Sequence, residues 1–166
     1  MEGGTMPRLR ATRRLTVFAL GITAGVIMST GPASADLLTN VAFGNPGDVP
    51  LAGDWDGNGG DEIGVYRPST STFYERVDAD ATFTIAFGNT GDVLITGSWD
   101  NSRGDEVGVY RPSDSTFHLR RDNGSVVSLA FGNRGDVPIA GDWGSANGDE
   151  VGVYRPGNRT FYPGED

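Results

Sequence analysis

The chain has 166 residues, with no cysteine, no lysine and 22 acidic residues against 13 arginines, a net charge of −9. Four of those arginines and one acid lie in residues 1–35, so residues 36–166 carry 9 arginines against 21 acids, a net charge of −12. That balance argues against nucleic acid and anionic membranes as partners and favours cations; without cysteine, stability must come from packing, metal or assembly.

Residues 1–35 read as an export signal. Arg8, Arg10, Arg13 and Arg14 form a basic start, and Leu15 to Met28 is an uncharged, mostly apolar stretch too short to span a bilayer comfortably. Ala33-Ser34-Ala35 is a small-residue cleavage site that places the mature start at Asp36. Arg13-Arg14 after Thr12 matches part of the twin-arginine pattern, with Thr16 where Phe usually stands. No later stretch is long and apolar enough to insert in a membrane, so the expected location is secreted.

The rest of the chain is a repeat. Phe43-Gly44-Asn45 recurs 44 residues on as Phe87-Gly88-Asn89 and again as Phe131-Gly132-Asn133. Repeats at 43–86, 87–130 and 131–166 follow, with 37–42 as a closing strand, and a fixed period of this length means stacked supersecondary units. Within each repeat the apolar period is two, which predicts strands. Val49, Leu51, Gly53 and Trp55 alternate onto one face, as do Val93, Ile95, Gly97 and Trp99, and Val137, Ile139, Gly141 and Trp143. A second strand spans 62–67, 106–111 and 150–155, and Pro68, Pro112 and Pro156 stop it. A third carries Phe73-Tyr74, Phe117-His118 and Phe161-Tyr162. A fourth lies at 83–87 and 126–131, with Leu38–Phe43 as its N-terminal counterpart.

Four short antiparallel strands per repeat predict an all-β, propeller-like array of three blades, the third completed by the N-terminal strand. Known propellers have typically four to eight blades. Two readings stay open: two chains joined head to tail as a homodimer with six blades, or an open arc or compact monomer.

The loop after the first strand reads Asp54-Trp55-Asp56-Gly57-Asn58-Gly59-Gly60-Asp61. Asp54, Asp56, Asn58 and Asp61 place oxygens at alternating positions, and the glycines let the backbone curl around a hard cation such as Ca2+. The competing reading is a hairpin turn whose Asp side chains cap backbone amides. The Phe-Gly opening and this loop resemble FG-GAP repeats, the calcium-loop blades of integrin alpha-subunit propellers, and equally the VCBS-type repeats of exported bacterial proteins. The resemblance implies a propeller, an extracellular location, calcium held by Asp54, Asp56, Asn58 and Asp61, and a part in adhesion or ligand display. The final Asp stands at loop position 8 where the family usually has it at 9. The second loop offers Ser98, Asp100, Ser102 and Asp105, with only two carboxylates. The third keeps Asp142 and Asp149 but has Gly144 and Ala146 where ligands are needed.

Other patterns have plainer readings. Arg134-Gly135-Asp136 spells an integrin-recognition tripeptide, but its Gly-Asp recurs at 47–48 and 91–92, which makes it a repeated turn. Trp55, Trp99 and Trp143 fit packing between blades better than stacking on sugars. Arg67, Arg111 and Arg155 fit forks onto Asp48, Asp92 and Asp136. Glu62, Glu106 and Glu150 read as solvated strand-end charges. No nucleophile elbow, phosphate loop or His/Cys cluster is present, and the one unique histidine, His118, occupies the slot of Tyr74 and Tyr162. The chain is therefore read as a non-catalytic, exported, calcium-binding module for a protein or glycan ligand. The alternatives are a lectin-like carbohydrate-binding propeller and a small propeller glycosidase.

Overall fold

The computed structural model describes residues 40–78, 80–144 and 148–164. The expected export signal, its expected cleavage site and residues 36–39 lie outside them. The described residues form eleven antiparallel strands and no helix. Sheet 1 comprises β1 (Val49–Gly53), β2 (Glu62–Arg67), β3 (Thr72–Arg76) and β4 (Thr82–Ala86) in sequence order. Sheet 2 repeats it with β5 (Val93–Gly97), β6 (Glu106–Arg111), β7 (Thr116–Arg120) and β8 (Val126–Ala130). Sheet 3 has three strands, β9 (Val137–Gly141), β10 (Glu150–Arg155) and β11 (Thr160–Pro163). Residues 40–43, part of the expected closing strand, are not in a strand. The sheets are open, and the described residues form no closed propeller.

The register repeats with the sequence: Val49 faces Tyr66, Val93 faces Tyr110 and Val137 faces Tyr154. The first strands lie beside one another, β1 against β5 and β5 against β9. Each is an edge strand, the place where proline is tolerated, and Pro50 and Pro138 sit there. The turn after the second strand ends on a left-handed residue in every sheet, Ser71, Ser115 and Arg159, with φ of 49°, 54° and 58°.

Apolar contacts join the sheets in sequence order. Between sheets 1 and 2, Tyr66 and Phe73 pack with Val107 and Val109, and Phe87 from the connecting segment joins them. Between sheets 2 and 3, Trp99, Tyr110 and Phe117 pack with Val151 and Val153, joined by Phe131. The Phe-Gly-Asn segment is thus interlayer filling. Its glycine has φ near +90° and lies so close to the second strand that a Cβ on Gly44 would meet Val65 at 2.9 Å, and one on Gly132 would meet Val153 at 2.9 Å. Phe73 and Phe117 are fully buried, with ring centroids 4.6 and 4.7 Å from Tyr66 and Tyr110.

Each sheet also carries one arginine fork. Nε and NH2 of Arg67 donate to the two oxygens of Asp48 at 2.9 and 2.8 Å, and Arg111 with Asp92 and Arg155 with Asp136 do the same. The Arg67 fork holds the Asp48 carboxyl below its ordinary range, and Arg155 does so for Asp136. Asp136, buried and held by Arg155, is therefore a structural acid and not part of a displayed tripeptide.

Removing a fully buried aromatic leaves a cavity between two sheets. Phe117→Ala is expected to lower the unfolding free energy by about 3–5 kcal/mol, read by urea denaturation followed by tryptophan fluorescence.

Candidate functional site

The loop between the first and second strands folds around its acids. In sheet 1 the Asp54 oxygens accept the backbone N–H groups of Asn58 and Gly59 at 3.0 and 2.8 Å. Asp56 Oδ1 accepts Asn58 N at 2.9 Å, and Asp56 Oδ2 accepts the Asn58 side-chain amide at 2.6 Å. Gly57 and Gly59 adopt φ of 70° and 95°, which permits the curl.

Asp54, Asp56 and Glu62 each offer one oxygen to a common point, the three lying within 4.8 Å of one another. Sequence reasoning named two of the three. Glu62 was missed because it begins the next strand and reads as a solvated strand-end charge. It is a loop anchor, with Oε2 accepting the Trp55 N–H at 3.0 Å. Its counterparts do the same: Glu106 accepts Trp99 N at 2.6 Å and Glu150 accepts Trp143 N at 2.9 Å. The signal was available, since a glutamate seven residues after each tryptophan is invariant across the repeats. Asn58 enters the loop as a donor to Asp56. Asp61 stands apart from the three oxygens and close enough to Asp105 to raise its pKa.

The second loop is closed by its own side chains. Ser102 N–H donates to Asp100 Oδ1 at 3.0 Å, and Ser102 Oγ lies 3.0 Å from Glu106 Oε1. Burial pushes Asp100 upward, but hydrogen bonds from Glu106 and Ser102 outweigh it and leave Asp100 lowered. Glu106, only 4 % exposed, is pushed up to about 7 by burial and by the neighbouring Asp100 carboxylate, with the Trp99 backbone N–H opposing. Asp105 faces sheet 1 instead, while Ser98 turns its hydroxyl to Ser102 O of its own loop at 3.5 Å and offers only its backbone to sheet 3. Asp105 Oδ2 accepts the Asp54 N–H at 3.0 Å while its own N–H donates to Asp54 O at 2.8 Å. Asp149 and Ser98 form the same two-bond clamp, at 3.0 and 2.8 Å. Burial raises the Asp105 pKa, the Asp54 N–H opposes that, and the charges of Asp149, Asp61 and Asp54 add to it.

Trp55 and Trp99 are buried, at 8 % and 9 % exposure, whereas Trp143 is 44 % exposed. A cleft of about 330 Å³ opens where sheet 1 meets sheet 2, lined by Trp55, Glu75, Phe83, Glu106, Arg120 and Asp122 among others. Glu75 breaks the repeat, standing where Leu119 and Pro163 stand in the other sheets. Compared with protein-family models, curated proteins and solved structures, the chain matches none.

Burial pushes the Glu75 carboxyl from 4.5 up to about 7, with Arg120 opposing and Asp122 assisting. Its folded value lies above its unfolded one, so its contribution to stability is complete below pH 4.5 and is lost as the pH rises to about 7. Thermal unfolding between those limits should show the midpoint falling with pH. Glu75→Gln is expected to flatten that slope and raise Tm at pH 7 by roughly 3–6 °C, equivalent to about 1 kcal/mol.

Proposed function

We propose that the chain is an exported, non-catalytic FG-GAP/VCBS-like repeat module, its three sheets acting as propeller blades and its first loop binding Ca2+. The observation that carries this reading is the convergence of Asp54, Asp56 and Glu62 at one hairpin tip. Three carboxylates at that spacing repel one another, and a divalent cation removes the repulsion. Carboxylate oxygens accept more than one partner, so Asp54 and Asp56 can hold backbone N–H groups and a cation together with Glu62, with the Asn58 side-chain oxygen and water as further oxygens. Calcium accepts such irregular sets. The second loop is the weaker site, because Glu106 is committed to Asp100, Ser102 and the Trp99 N–H.

Bound calcium would stiffen the hairpin joining β1 to β2 and so fix the loops at one end of the blades. Those loops would form the surface for an extracellular protein or glycan ligand. The acidic charge of the chain, −9 overall, supports a cation-dependent surface and opposes nucleic acid.

A site of roughly 10⁻³ M affinity, the weak end of the extracellular range, gives about 1 kcal/mol of stabilisation at ~5 mM calcium. Thermal unfolding in calcium against EDTA is expected to show a Tm gain of roughly 3–6 °C. Asp56→Ala should abolish that gain and Asp100→Ala should leave most of it. A Tm indifferent to calcium would leave the loops as capped turns and defeat the metal reading.

A further inference from the structure

We propose that the open face of sheet 3 is covered by the open face of sheet 1 of a second copy of this chain, so that two chains close head to tail into one ring. The chain contains the same junction twice, and each half of a third junction lies unmet among the described residues. On the giving side of each junction is a Gly-Asp pair. Asp105 clamps Asp54, and Asp149 clamps Ser98, each through two hydrogen bonds. Asp61 is the first copy of that pair, and no backbone N–H of another sheet reaches it among the described residues. On the receiving side, Asp142 is the third copy of Asp54 and Ser98, and it has no such clamp among the described residues.

The glycines show which surfaces are built for contact. A Cβ on Gly104 would meet Asp54 O at 2.7 Å, whereas one on Gly60, the same position in sheet 1, would meet only Asn58 Oδ1 at 3.9 Å. Gly97 likewise sits against Asp149 Oδ2, 2.8 Å from where its Cβ would be, whereas Gly141 meets only Trp143 among its nearest neighbours.

The apolar side chains divide the same way. Val107 and Val151, which face the preceding sheet, are 1 % and 4 % exposed, but Ile63 at that position is 40 % exposed. Trp143 and Phe161 are 44 % and 64 % exposed where their counterparts are buried. Isolated exposed apolar residues are ordinary. Here Ile63 on sheet 1 and Trp143 and Phe161 on sheet 3 occupy the positions that meet across the two formed junctions, and all three are exposed. A heterologous contact of this kind closes only if its rotation fits a ring, and two chains give six sheets, within the usual propeller range.

In the proposed ring, residues 40–42, which belong to no strand within one chain, would extend sheet 3 of the partner copy. Val41 and Ala42 stand 44 residues before Ile85 and Ala86 of β4. In sheet 1 Thr72 faces Ala86 and Phe73 faces Ile85. The same register places Thr160 of one chain opposite Ala42 of its partner copy, and Phe161 opposite Val41. Pro163 removes one donor from that ladder, so the added strand is short and the sheet-to-sheet face carries most of the association.

The chain has no cysteine, which makes the pairing directly testable. Light scattering of the full chain is expected to give twice 17.5 kDa. Asp61→Arg and Trp143→Ser, both at exposed positions of one chain, should each give the monomer mass with an unchanged far-ultraviolet circular dichroism spectrum. Ala42→Cys combined with Thr160→Cys should oxidise to a covalent dimer, and neither single variant should. A monomeric parent chain, a dimer indifferent to Asp61→Arg, or a 42–160 bridge formed within one chain would each overturn the proposal.

Discussion

The structure depends on one reciprocal contact, in which the aspartate just before the second strand of one sheet grips the backbone of a loop in the preceding sheet. Its N–H donates to a carbonyl and its carboxylate accepts the N–H of that same residue, as Asp105 does with Asp54 and Asp149 with Ser98. Both partners are part-buried, where an unpaired backbone amide would be costly. The contact fixes spacing and register between sheets before any apolar side chain is considered. It requires Gly104 to lie against the Asp54 carbonyl, and Gly53 and Gly97 to leave room for the tryptophan ring folded over them. The glutamate that follows the aspartate holds the backbone N–H of the tryptophan in its own sheet. Adjacent acids therefore divide the work, the aspartate tying sheets together and the glutamate tying a loop to its strand.

That division shapes the candidate metal site. Glu62 is less buried than Glu106 and is joined by two aspartates at the loop tip, so sheet 1 gathers three carboxylates near solvent. In sheet 2 the same glutamate is sealed inside, beside Asp100 and bonded to Ser102 and the Trp99 backbone N–H. One scaffold thus yields a loop that gathers three carboxylates and a loop closed by its own side chains. The difference comes from what surrounds each glutamate, since the glutamate itself never changes.

Much of this was legible in the sequence. The 44-residue period, the period-two alternation and the prolines at 68, 112 and 156 locate the strands, because backbone geometry and side-chain phase leave few alternatives. The arginine forks were legible too, since a constant Arg and a constant Asp with matched spacing have few other uses. The roles of Glu62, Glu106 and Glu150 were not, because a charge at a strand end usually faces water. Nor was the difference between Trp143 and its buried counterparts, which depends on whether a further sheet lies in front of it. Identical residues in a repeat differ only through their neighbours, and a sequence read one copy at a time does not show that.

Backbone amide exchange followed by NMR tests the reciprocal contact most directly. The amides of Asp54 and Ser98 should exchange slowly, at rates close to those of the strand amides. Asp105→Ala should release Asp54 alone, and Asp149→Ala should release Ser98 alone. Fast exchange at Asp54 and Ser98 in the parent chain, or protection that survives loss of the aspartates, would contradict the account.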